Sequence, residues 1–154
     1  MDWARGMQLT RSVSYAVGIL LNVERARAEG PVTATKIARK DQFPPRFLYR
    51  VLRRLVDAGI LTGVSGPGGG YALAKPPEKI SLAEIVEAVE GPQEATVLEP
   101  VAAYHAAAIQ QINGLCEKNA AAFRRALKGT SLKQLKSARP AKGSRGRAKR
   151  KSRR

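Results

Sequence analysis

The stretch from Gly59 to Pro77, GILTGVSGPGGGYALAKPP, constrains this chain more than any other. Two short apolar alternations flank a glycine cluster. Ile60, Leu61 and Val64 lie on one side, and Tyr71, Leu73 and the aliphatic part of Lys75 on the other. Gly66, Gly68, Gly69 and Gly70 admit positive φ without a Cβ clash, so a tight reversal costs little there. The pattern predicts a two-stranded hairpin with a Gly-Pro-Gly-Gly-Gly tip. A hairpin of this size is unstable alone, so the chain before it must supply the surface on which it packs.

That upstream chain predicts three helices. Thr10 is an N-cap, and RSVSYAVGILLNVERARA has helical spacing. Val13, Ala16, Val17, Leu20 and Leu21 fall on one face, while Arg11, Asn22, Arg25 and Arg27 face away, and Gly30-Pro31 ends the helix. Thr33 caps a short second helix holding Ile37 and Ala38, which the Pro44-Pro45 pair interrupts. The third helix runs from about Pro45 to Ala58. Leu48, Val51, Leu52 and Leu55 share one side; Arg46, Tyr49, Arg50 and Arg53 share the other, with Arg54 at the flank. Two helices joined by a short turn, the second with an arginine-rich outer face, form a helix-turn-helix. The hairpin that follows makes it winged.

Beyond the hairpin, ISLAEIVEAVEG opens with a capping box, Ser81 and Glu84, and has an apolar face of Ile80, Leu82, Ile85, Val86 and Val89. Glu84, Glu87 and Glu90 are expected mainly outward. From Pro100 to about Lys128 runs an alanine-rich helix that Gly114 is placed to bend. It has more apolar surface than a small winged domain can cover, and a second copy of the chain is the expected partner. TSLKQL, from Thr130, is a short capped turn. The expected fold is mainly α with a small β-hairpin: a winged helix-turn-helix plus a long C-terminal dimerisation helix. Residues 1–8 form a flexible N-terminus and 9–91 the winged domain. Residues 92–135 hold the long helix and a short terminal one, and 136–154 a disordered basic tail.

Charge points to the partner. Of the net +16, residues 136–154 contribute 10 Lys and Arg with no acid, and residues 1–75 contribute 12 against 5 acids. Such a distribution suits a polyanion, nucleic acid first, against the plainer role of keeping the chain soluble. No apolar run reaches the roughly 20 residues of a membrane-spanning helix, and MDWARGMQLT lacks a signal-peptide pattern. The expected place is the cytoplasm. One cysteine, Cys116, excludes an internal disulfide and a multi-cysteine metal site within the chain. Cys116 is a candidate redox thiol with Lys118 near it, against the plainer role of a small packing residue. His105, the single histidine, lacks a ligand partner at suitable spacing and is expected on a helix surface. Neither a Ser/His/Asp set nor a phosphate-loop pattern is present, so no enzyme is expected.

The run AGILTGVSGPGGGYALAKPPEKISLAEIVEAVEGP, with MQLTRSVSYAV, VTATKIARK and FPPRFLYRVLRRL before it, resembles the Rrf-two (Rrf2) family of bacterial transcription regulators. The resemblance covers about 85 residues and recurs weakly at TSLKQL. It implies a homodimer with long C-terminal helices crossed between subunits and two recognition helices in successive major grooves. Cluster-binding members carry three cysteines before the long helix. QEATVLEPVAAYHAAAIQQ has none there, and a dimer offers two thiolates at most, so the chain is expected to be cluster-free with no cofactor. The family frequently has arginine just before the wing glycines, where this chain has Ser65.

The candidate DNA contacts are Pro45, Arg46, Tyr49, Arg50, Arg53 and Arg54 on the third helix, with arginine suited to guanine and tyrosine to phosphate. Thr33, Thr35 and Lys36 open the second helix, and Thr10, Arg11 and Ser12 the first, where amides meet phosphate. Ser65, Gly66, Gly68, Gly69 and Gly70 form the wing. The function expected is a sequence-specific homodimeric transcription regulator, a repressor, with no effector legible. The alternative is a nucleoid-type architectural protein with little sequence preference, for which the tail and Ser65 speak.

Overall fold

The computed structural model describes residues 9–41, 43–95 and 97–138. The expected flexible start, 1–8, and all but the first three residues of the basic tail lie outside the described residues. Helix α1 spans Arg11–Arg25, and the Thr10 hydroxyl accepts the Ser12 amide at 3.1 Å to cap it. It stops three residues short of the expected end, and a 3-10 turn, Arg27–Glu29, carries the chain to Gly30. Its core side is broader than the spacing predicts. Val13, Ala16, Ile19, Leu20 and Val23 are buried, and so are Asn22 and Glu24. Spacing alone turns Asn22 away from the core; the third helix, the helix after the hairpin, the short terminal helix and the hairpin all pack on α1, leaving it little free circumference.

Helix α2, Ala34–Asp41, begins after Thr33, whose hydroxyl accepts the Lys36 amide at 3.2 Å. Helix α3, Pro45–Asp57, starts on the proline pair and buries Leu48, Val51, Leu52 and Leu55, the four residues its spacing predicts. It ends in a Schellman motif. Gly59, at φ +67, lets its amide reach the Val56 carbonyl at 2.9 Å and the Ile60 amide reach Leu55 at 2.9 Å. Ile60 is fully buried, so the cap also anchors the start of the hairpin.

Strands β1, Leu61–Val64, and β2, Gly70–Leu73, pair antiparallel with Leu61 opposite Leu73 and Val64 opposite Gly70. A third segment joins them. Val32, in the connection between α1 and α2, exchanges two backbone hydrogen bonds of 2.9 Å with Tyr71. The hairpin is thus fastened to the helix-turn-helix through backbone as well as through side chains.

Helix α4, Leu82–Glu90, carries the Ser81–Glu84 capping box. Helix α6, Leu132–Ser137, carries a second, Ser131–Gln134. The two helix starts lie side by side: the Leu82 amide bonds the Thr130 carbonyl at 2.7 Å, and the Leu132 amide bonds Ile80 at 2.8 Å. Ile80 and Leu132 are fully buried beneath this bridge. Between them α5, Ala106–Gly129, begins later than expected, after a 3-10 turn at Ala103–His105. Its C-terminal half returns to the core through Ala120 and Leu127. Its N-terminal half leaves Ile112 and Leu115 exposed, and the segment before it leaves Val97, Leu98, Val101 and Tyr104 exposed. Among the described residues, no helix is long and apolar enough to cross a membrane.

Candidate nucleic-acid interface

The buried leucines of α3 dictate what its other side shows. Arg46, Tyr49, Arg50 and Arg53 all stand exposed on it, with Pro45 at the exposed first turn. Their surroundings differ. Arg50 lies over the Phe47 ring, 4.8 Å from its centroid. Phe47 meets Tyr15 of α1 at 4.7 Å, and Tyr15 meets Phe43 edge-on at 5.1 Å. Arg53 approaches Asp57 at 3.8 Å, both well exposed, a pair of little energetic weight. Arg54, at the flank, is exposed along its length, but its guanidinium turns back to donate to the Val89 carbonyl of α4.

The start of α2 presents Thr33, Thr35 and Lys36 to solvent. Lys36 pairs with Glu29 at 2.8 Å. The hydrogen bond from Lys36, and then its charge, hold the Glu29 carboxyl below the usual range. At the start of α1, Thr10 and Arg11 are exposed and Ser12 half-buried. These three, with Tyr15, Pro44 and Phe47, line an open groove of about 360 Å3 between α1 and α3.

This helix start already holds an acid. Glu90 accepts the Thr10 amide at 2.8 Å and also its hydroxyl. The expectation that Glu84, Glu87 and Glu90 face outward holds for Glu87 alone. Glu84 and Glu90 are half-buried, Glu84 drawn in by hydrogen bonds from Lys75 and Ser81 and Glu90 by those from Thr10. Burial works against the charge of Glu84, but hydrogen bonds from Lys75 and Ser81 outweigh it and hold the carboxyl below the usual range.

On the wing, Ser65, Gly66 and Gly68 are exposed, and Gly69 and Gly70 half-buried. Cys116 is a half-buried free thiol on α5, far along the chain from these elements. His105 is half-buried at the start of α5, its ring 3.9 Å from that of Tyr104. Among the described residues no three His, Cys, Asp or Glu side chains form a metal-holding group. With one cysteine in the chain, the donor set does not fit an iron–sulfur cluster.

Sequence reasoning missed the aromatic support under Arg50. Phe43 and Phe47 are four residues apart, a signal hidden because the prolines between them read as a break. It also missed Glu90 as a cap for α1, a pairing across 80 residues.

The chain is similar to known proteins over most of its length. A family model described as Rrf2, iron-dependent transcriptional regulator, matches residues 9–138. The HTH-type transcriptional regulator IscR of Photorhabdus laumondii is 37% identical over 90 residues, 58% of this chain and 55% of that protein. IscR of Escherichia coli O1:K1 is 34% identical over 90 residues, 58% and 56% of the two chains. The chain thus spans about half the length of the curated relatives it matches. Among solved structures, CymR of B. subtilis, described as the global cysteine regulator, superposes with a TM-score of 0.66 at 26% identity, covering 85% of this chain and 97% of that one. IscR of T. potens shares the fold, with a TM-score of 0.61 at 23% identity over 93% and 96% of the chains.

Proposed function

This chain belongs to the Rrf2 family of transcriptional regulators, and from that premise we propose that it binds double-stranded DNA as a homodimer, prefers particular sequences and represses transcription. The carrying observation is the exposed row Arg46, Tyr49, Arg50 and Arg53, set opposite four buried apolar residues of one helix. A helix pinned on its apolar side and cationic on the other suits the major groove, where arginine pairs bidentately with guanine. The wing and the start of α2 would meet backbone phosphate, and at the start of α1, where Glu90 already takes the Thr10 amide and hydroxyl, the side chains of Arg11 and Ser12 remain for that contact. The proposed DNA-binding unit is residues 9–91.

The homodimer is supported by the apolar residues that α5 and its lead-in leave exposed, Val97, Leu98, Val101, Tyr104, Ile112 and Leu115. A run of this kind marks an interaction surface, and a second α5 is its chemical match. Substituting Asp at Leu115 should then shift the chain's mass in solution from two copies toward one; an unchanged dimer removes α5 from the interface.

Function is tested by selecting bound sequences from a random duplex pool, with and without reductant. The affinity of the selected duplex is then compared with that of random duplex at about 0.15 M salt, where specific binding exceeds non-specific by roughly a thousandfold or more. A ratio near one overturns the regulator and leaves an architectural binder. Equal selections with and without reductant remove Cys116 as a redox switch.

A further inference from the structure

Helix α4 ends with the wrong charge for its own dipole. Its last turn carries no base, although a helix C-terminus favours cations. Arg54 of α3 supplies one from outside: its guanidinium donates to Val89, one of the carbonyls that a helix end leaves without an intrahelical partner. One residue further, Glu90 turns to the start of α1 and accepts the Thr10 amide and hydroxyl. α1 has no acid in its own first turn, so α4 supplies the anion it lacks. Two residues past Gly91, the Gln93 carbonyl accepts Arg124 of α5 at 3.0 Å, and Glu117 holds the same guanidinium at 2.6 Å. Residues 89–93 therefore join α1, α3 and α5 at one place.

The opposite end of α3 is held by rings, Phe43 and Phe47 against Tyr15. The exposed row lies between these two grips. Base-reading side chains must be held to about 0.5 Å and 10–20° by their supports. A grip at each end of α3 fixes its tilt, and the grip by Arg54 ties that tilt to the junction leading into α5.

We propose that Arg54 is a positioning residue and not a DNA contact: its bond to Val89 sets the angle at which α3 presents Arg46, Tyr49 and Arg50. This rests on the DNA-binding reading above. The test uses the full chain, with Arg54→Ala and Arg54→Lys. Each is measured on the duplex selected by the unaltered chain and on random duplex, over a series of salt concentrations, alongside thermal melts. Arg54→Ala should lower the ratio of the two affinities by roughly fivefold or more and leave the salt slope on random duplex unchanged. Arg54→Lys, which keeps a donor of similar reach, should recover most of the ratio. A salt slope lower by about 0.9 for each phosphate no longer neutralised, with the ratio intact, overturns the proposal and makes Arg54 a phosphate ligand. A lowered melt with both ratio and slope intact also overturns it, since the bond then only holds the fold together. If the unaltered chain itself prefers no sequence, the regulator falls and this proposal falls with it. A preference that survives Arg54→Ala removes this proposal alone.

Discussion

The guanidinium of Arg50 rests on the ring of Phe47, which itself packs at a tilt against Tyr15 of a different helix. The arginine is thus laid out before any partner arrives, and less side-chain freedom remains to be lost on binding. Arg50→Ala is expected to weaken the preferred duplex by about 1–3 kcal/mol more than random duplex. Equal losses on both would make Arg50 a phosphate ligand. Phe47→Leu keeps an apolar side chain but removes the stack, and should cost about 0.5–1 kcal/mol of the same preference. A loss as large as that of Arg50→Ala would mean that the ring acts by holding α3 in place.

Gly70 joins β2 to the chain before α2. Its φ is +150, and a Cβ there would lie 2.5 Å from the Val32 carbonyl oxygen. Gly70→Ala must therefore break the Val32–Tyr71 bridge or strain the strand. The expected loss is about 1–3 kcal/mol, read by urea melts. Gly63→Ala, in the same hairpin with nothing within 4 Å of the added Cβ, should stay within about 0.5 kcal/mol. If both variants melt alike, the bridge does not hold the wing.

Local spacing carried most of the fold. The face of α3 follows from Leu48, Val51, Leu52 and Leu55, and the cap of α4 from Ser81 and Glu84, because each signal is complete within a few residues. The hairpin was legible from its glycines for the same reason. Long-range pairings were not. Nothing near Val32 marks it as a strand partner of Tyr71, and nothing near Glu90 marks it as the acid that closes α1. Asn22 was misplaced because periodicity assumes one buried side, whereas α1 is packed on several. The candidate DNA-binding residues were legible as a basic face, but the partner that occupies Arg54 was not, since Val89 lies 35 residues away.

The carboxyl of Glu84 makes a prediction for acid. Its affinity for a proton is lower folded than unfolded, because Lys75 and Ser81 hold the charged form against the cost of burial. The unfolded chain therefore gains protons first as pH falls. Stability from this group is present above roughly pH 4.3, the ordinary glutamate value, and is lost as pH falls through the lower folded value. Melts of the unaltered chain and Glu84→Gln from pH 6 to 3 (roughly) should converge toward the acid end. Parallel curves across that range would show that the Glu84 charge contributes nothing.

Lys136 and the residues after it should separate in function. Lys136 belongs to α6, which continues to Ser137, and its ammonium lies 3.1 Å from the buried carboxylate of Glu24. Lys136→Met removes that partner and leaves a buried charge unpaired. The expected loss is about 1–3 kcal/mol, at the lower end because the ammonium is 42% exposed. Residues 139–154 hold nine Lys and Arg and no acid. Deleting them should leave the melt unchanged and the selected duplex the same, while flattening the salt dependence of DNA binding by about 0.9 for each phosphate the arm neutralises. A deletion begun at residue 136 would mix the two effects, because it also strips Glu24 of its partner. A salt slope unchanged by the cut after Ala138 rules out the arm as a DNA ligand, and an unchanged Lys136→Met melt means that the pair with Glu24 adds no net stability.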